Sequence, residues 1–270
     1  MRSIAEVSGL STGLKSNLIG FLVLLPYALY RGFIWPTGSK VWWLIAITAL
    51  FNVVIPFFLI SWAEQTIDAG VASLLMGTGP FLALIGSHFS TTDDRITLPK
   101  ALAVVLGFAG VMTIVGVDAV SGLGGDTLLS QLAAIGGAMS YVIAGLLIRK
   151  IDIPPIRLGC LVLGLGTIFL LGLALIVDGA PSMSLTPIAL GSLIYLGLIP
   201  TSLGQILRFT LIKKVGYAAF SLSLNLIPAL GGGMGALLLG EVITIRTFIA
   251  LMLVLAGLFA SRLNFGNKQT

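Results

Sequence analysis

SLLMGTGPFLALIGSHFSTTDDRIT, residues 73–97, returns as SLSLNLIPALGGGMGALLLGEVIT, residues 221–244. Each copy opens on a serine, carries a proline seven residues on, continues as an apolar run with glycine, reaches an acidic residue and closes on Ile-Thr. The copies sit in the third and the eighth apolar stretches of the chain, an odd number of crossings apart. They are therefore expected to lie upside down relative to each other. An inverted duplication offers two near-equivalent packings around a central site, which is what alternating access requires.

Composition supports a bilayer setting. Of 270 residues 57% are hydrophobic and 9% charged, and the mean hydropathy is +1.10. A soluble chain carries about 25% charged residues, so this one has too little charge to solvate a water-facing surface. The 34 glycines fit helices that approach closely where lipid removes the hydrophobic drive between them. A bilayer core takes roughly 20 apolar residues per helix. Nine stretches meet that length: 16–34, 41–62, 68–89, 98–116, 128–148, 157–177, 187–211, 216–239 and 246–264. None shows the period-two alternation of a barrel strand. The expected fold is an all-α integral membrane protein of nine transmembrane helices. The Gly/Asp-rich stretch 117–127 divides it into halves at 1–116 and 128–264. Residues 1–15 hold no apolar core of signal-peptide length and are expected to be an external loop.

Lysine and arginine report orientation. Arg31, Lys40, Arg95, Lys100, Arg149, Lys150, Arg157, Arg208, Lys213, Lys214, Arg262 and Lys268 fall on one side, and Arg2, Lys15 and Arg246 on the other. The richer side is assigned to the cytoplasm. The net charge of +5 is thus topological, and nucleic acid is not an expected partner. The C-terminus is expected inside and the N-terminus outside, in a bacterial inner membrane. Four spans precede 117–127 and five follow. Two equal halves of five would place a missing helix before residue 16, and that helix would bring the N-terminus inside.

The stretch TLIKKVGYAAFSLSLNLIPALGGGMGALLLGEVITIRTFIALMLVLAGLF (210–259) resembles the EamA-type module of the drug/metabolite transporter superfamily. The resemblance rests on Asn225, Leu226 and Pro228, on Leu239-Gly240-Glu241, and on the pair Ala256-Gly257. The first copy departs from the pattern. Gly77 and Thr78 replace Asn-Leu and Asp94-Arg95 replaces Gly-Glu, while Ala109-Gly110 keeps the final pair. The resemblance spans about residues 16–264. It implies a ten-helix inverted-repeat transporter of small metabolites or amino acids, often outward. It also implies a central cavity lined by the first four helices of each half, with the fifth as scaffold.

All ten carboxylates, Glu6, Glu64, Asp68, Asp93, Asp94, Asp118, Asp126, Asp152, Asp178 and Glu241, fall at or beyond span ends. Coupled carriers commonly bury an acid at the midplane. Its absence favours exchange or uniport over proton or sodium coupling. Glu64 closes the second span and is either a cavity-mouth acid or a solvated loop acid. Asp93-Asp94 lacks a further acid at helical spacing and reads as a turn. The lone His88 and lone Cys160 cannot build a metal site or a nucleophilic pair. Gly122, Gly124 and Gly125 lack the Lys-Ser/Thr of a phosphate loop. Neither cofactor nor metal is expected, and the chain is not read as an enzyme.

Amides carry the site reading. Asn52, Gln205 and Asn225 fall inside spans two, seven and eight. An unsatisfied amide in hydrocarbon costs several kcal/mol. Each must therefore face a cavity or bond another helix, and both remain open. Asn52 precedes Pro56, Gln205 follows Pro200 and Asn225 precedes Pro228. A proline frees a carbonyl one turn earlier and kinks the helix, so amide and carbonyl together would suit a zwitterion, amide or hydroxyl. Tyr141 and Tyr195 lie within spans and either line the cavity or bond across helices. Arg208 is either a carboxylate ligand or a snorkelling cation. Gly231, Gly232, Gly233 and Gly235 after Pro228, and Gly77 and Gly79 beside Pro80, are close-packing faces or hinges. The resulting expectation is a secondary transporter of a small, amino-acid-like or amphiphilic solute. Its partners are that solute, the lipid bilayer and, as an open alternative, a second copy in a homodimer. A non-transporting subunit completed by a partner helix, and an integral-membrane enzyme, are the alternatives.

Overall fold

The computed structural model describes residues 9–90, 96–115, 120, 122–177, 187–226 and 245–262. These are helical almost throughout, with no strand among the described residues. Six helical stretches are long and apolar enough to cross a membrane: Ser11–Tyr30, Ser39–Ala63, Gly70–Ser90, Gly125–Lys150, Pro155–Val177 and Pro187–Val215. Leu98–Thr113 and Phe248–Ser261 are shorter apolar helices. Of the expected span 216–239, only the part through residue 226 lies among the described residues. Pro228, the Gly231–Gly235 run, Asp93, Asp94 and Glu241 lie outside them.

The elements are α1 (Gly9–Tyr30), α2 (Ser39–Ala49), α3 (Ile55–Ala63), α4 (Ala69–Met76), α5 (Gly79–Ser90) and α6 (Leu98–Val115). They continue as α7 (Leu128–Lys150), α8 (Pro155–Val177), α9 (Pro187–Leu196), α10 (Gly204–Val215), α11 (Tyr217–Leu224) and α12 (Ile245–Arg262). The first helix begins at Gly9, so residues 9–15 are helix and the external-loop reading is corrected for them. The small polar run before residue 16 hid the extension from hydropathy. Lys15 lies inside α1, and its Nζ is buried without a hydrogen-bond partner among the described residues.

Two compact units form, and they do not follow the sequence halves. One comprises Met1–Trp62 with Ile143–Val215, the other Ala63–Val142 with Gly216–Thr270. Each takes helices from both repeats. The chain passes from the first unit to the second at Trp62–Ala63 and again at Val215–Gly216, where Gly216 takes φ +85°, a conformation glycine adopts without the Cβ penalty other residues meet.

In the first unit α1 packs antiparallel to α8. Leu24 and Ala28 meet Cys160 and Leu163 in one buried cluster. A turn or two along, Asn17 Nδ2 donates to Leu163 O at 2.9 Å and to Thr167 Oγ1 at 2.8 Å. Prolines do not break the helices here. A π-helical turn, Leu50–Val54, joins α2 to α3 just ahead of Pro56, with the Ile55 N–H reaching back to Leu50 O. A second π-helical stretch, Gly197–Leu203, contains Pro200. The wider ring lets the chain pass a residue that cannot donate.

In the second unit the breaks are complete. The α4 helix stops at Met76 and α5 starts at Gly79, with Gly77-Thr78 between. Pro80 therefore stands in the first turn of a new helix, where a missing N–H costs nothing. Scaffolding comes from α6 against α12, the most extensive helix pair. A Cβ on Gly110 would meet Val254 at 2.7 Å and Ala250 O at 3.0 Å, and one on Gly257 would meet Ala103 O at 2.8 Å. The glycines of the two Ala-Gly pairs thus form one antiparallel contact, and small residues let the backbones close up where lipid supplies no drive.

Candidate functional site

The second unit encloses a cavity of about 500 Å³. Ser73, Met76, Gly77 and Pro80 line it from the first repeat, Tyr217, Ser221 and Asn225 from the second. Val111 and Val115 of α6 and Ala138 and Tyr141 of α7 complete the wall. The lining is mainly apolar carbon with a few polar groups, the usual balance for a small-molecule site. No Asp, Glu, His, Lys, Arg or Cys is among these residues.

The two repeat copies meet at this cavity through their breaks. Gly77 caps α4 at φ −61°, ψ −13°. Asn225 caps α11 at φ −63°, ψ −17°. In both, the capping N–H turns back to a carbonyl three or four residues before it. Thr78 then receives the N–H groups of Phe81 and Leu82 at 3.0 and 3.2 Å, starting α5, and its own hydroxyl donates to Leu75 O at 2.6 Å. The α11 helix packs on α5 and α6, with Ala218 and Leu222 against Leu84, Ala103 and Val104.

Asn225 is 4% exposed. Its Nδ2 has no hydrogen-bond partner among the described residues, although the residue lines the cavity. The amide rests on α6 at Gly107, where any Cβ would collide with Nδ2. Glycine at 107 is what admits the amide. Ser221 Oγ is already committed to Ala218 O at 2.7 Å. An unpaired buried donor costs about 1–3 kcal/mol, and a ligand acceptor would offset it.

The structure brings together Asn225, Tyr141 and Pro80 of the expected residues. Asn52, Pro56, Gln205 and Pro200 belong to the first unit. Asn52 is 4% exposed, with Oδ1 unpartnered among the described residues. Gln205 is buried, its side chain toward Gly159 of α8. Beside Pro200, Thr201 Oγ1 donates to Leu196 O at 2.8 Å. Ser202 Oγ likewise donates to Gly197 O at 2.9 Å and to Gly20 O of α1 at 3.0 Å. Glu64 is exposed in the turn after α3. Tyr195 is 62% exposed on α9 and lines neither this cavity nor the one described below. Sequence reasoning missed Ser73, Tyr217, Ser221 and Gly107. It also missed Asn17, whose place one residue inside the first expected span was a usable signal.

An all-helical, multiply crossing chain with half-broken helices meeting at a neutral cavity is a membrane transporter. The profile of the EamA-like transporter family matches residues 2–116 and again 128–263, and the chain belongs to that family. It is 27% identical over 215 residues to the uncharacterized transporter YoaV of Bacillus subtilis, covering 78% of this chain and 72% of that one. Identity is 28% over 188 residues to the probable terminal-alkyne amino-acid exporter of Streptantibioticus cattleyicolor, covering 68% and 61%. A crystal structure of a protein 21% identical superposes with a TM-score of 0.79 over 95% of this chain and 89% of that one, which speaks to the fold.

Proposed function

We propose that the chain is a secondary transporter of a small amino-acid-like metabolite, exported by alternating access across a bacterial inner membrane with its C-terminus cytoplasmic. The solute docks in the cavity of the second unit, and its carboxylate or carbonyl accepts from Asn225 Nδ2. The observation that carries this is the buried amide of Asn225, a residue that lines the cavity, whose Nδ2 has no partner among the described residues. A second attraction comes from α5, whose first residues Gly79 and Pro80 stand beside the cavity. A helix N-terminus carries roughly +0.5 of a charge, and half-helices aimed at an anionic group recur in inverted-repeat carriers. Tyr141, Tyr217 and Met76 offer apolar surface to the side chain of the solute. The relative named as an amino-acid exporter supports the solute class. The neutral lining supports exchange or uniport.

Proteoliposomes holding purified protein test this against a panel of labelled neutral amino acids, amines and sugars. Counterflow of an amino acid above protein-free vesicles is expected, with amines lacking a carboxylate not carried. Flux of amines or sugars alone would overturn the solute class.

A further inference from the structure

We propose that the first unit carries a binding site for an anionic phospholipid, separate from the solute cavity. A groove of about 370 Å³ runs along the α1–α8 pair. Its walls are Phe21 and Leu25 of α1 and Leu161 and Ile168 of α8, with Trp35 and Trp42 closing one end, and no charged residue lines it.

The aromatic end is preformed. Trp42 Nε1 donates to Pro36 O at 3.0 Å. Trp35 stacks on Trp42 with ring centres 6.0 Å apart, and Phe33 meets Trp35 edge-on at 5.0 Å. Between α1 and α2 the chain reverses at Gly32, φ +78°, which returns these rings over the groove. The walls from Leu18 to Leu25 and from Cys160 to Ile168 run for about 10–12 Å along their helices at 1.5 Å per residue. The rim is open: Trp35 is 64% and Ile168 63% exposed.

Three cations stand at the aromatic end, while Lys15, one turn before Leu18 at the other end, has its Nζ buried. Arg31 follows α1, Lys40 opens α2 and Arg157 stands in the first turn of α8. Because α1 and α8 are antiparallel, with Ala28 beside Cys160, these three cations share one end of the groove. The result is a slot that is apolar along its length, belted by tryptophan at one end and cationic there. Tryptophan belts and lysine or arginine clusters mark the headgroup level of a bilayer, and basic pockets between membrane helices take anionic headgroups. An acyl chain in the slot and a phosphate at Arg31 and Lys40 satisfy both ends. A compact soluble metabolite would use only one of them.

Trp43→Phe with Trp62→Phe leaves Trp35 and Trp42 as the only tryptophans, both lining the groove. This protein goes into phosphatidylcholine vesicles doped with brominated phosphatidylglycerol or with brominated phosphatidylcholine, and tryptophan quenching is read. The anionic lipid is expected to quench at lower mole fraction, by roughly fivefold for each cation it meets. Arg31→Gln with Lys40→Gln should abolish the preference, while Lys100→Gln in the second unit should keep it. Gly164→Val, which drives Phe21 into the groove (a Cβ there already stands 2.9 Å from that ring), should lower quenching by either lipid without removing a charge. Equal quenching by the two lipids would overturn the site and mean plain lipid exposure of the rings, and equal loss in Lys100→Gln would overturn it and mean bulk attraction only.

Discussion

Gly77 and Asn225 hold the same position in the two repeat copies and nearly the same backbone angles, −61°, −13° against −63°, −17°. One has no side chain; the other carries a buried amide on a residue that lines the cavity. Both copies end a helix at this position, and only one carries the proposed recognition group. On the proposed function, the like backbones serve rocking and the asymmetry between them sets specificity. The first unit shows the other response to proline. There Pro56 and Pro200 are passed by π-helical turns.

Removing the asymmetry should have the largest effect. Asn225→Ala deletes a donor to a charged acceptor, worth about 1.5–3 kcal/mol, so transport efficiency should fall roughly 10- to 100-fold at 1.4 kcal/mol per decade. The thermal midpoint should hold or rise, because an unsatisfied donor is lost. A purely structural amide would instead lower both, and a melting curve beside the flux assay separates the two. Gly107→Ala leaves Asn225 in the sequence but displaces its amide from α6. Solute KM in counterflow should then rise several-fold, with less effect on expression than on affinity.

Thr201→Val probes the first unit. It removes the Thr201 Oγ1–Leu196 O bond and should destabilise the protein by about 0.5–1.5 kcal/mol in thermal unfolding while leaving solute KM unchanged. The smallest effect belongs to Gly79→Ala. Its φ is not positive, and a Cβ there meets nothing within 4 Å. Transport should persist, with a gain of about 0.4–1 kcal/mol from the stiffer unfolded chain. Loss of flux would show that Gly79 works as a hinge, and the break alone would not explain the motion.

Helix type, membrane setting and the repeat were legible because hydropathy and residue spacing report them directly. The transverse arrangement was not. Hydropathy gives depth and not azimuth, so nothing along the chain announced that α6 of one half would pack on α12 of the other, or that Gly107 would seat Asn225. The Gly77–Thr78 break was hidden because the span remains apolar through it, whereas Pro80, which drew attention, merely begins the next helix. Asn225 was readable as a buried amide. That its partner is absent while Asn17 has two is a tertiary fact.

Ser73 lines the cavity and is exposed, which allows the most direct test. A Ser73→Cys protein in a Cys160→Ala background has one thiol, because Cys160 is the only native cysteine. Membrane-impermeant thiol reagents are applied from each face of oriented vesicles, with and without the carried solute. The account predicts labelling from both faces, slowed by the solute. Labelling from one face only, at a rate the solute leaves unchanged, would contradict it.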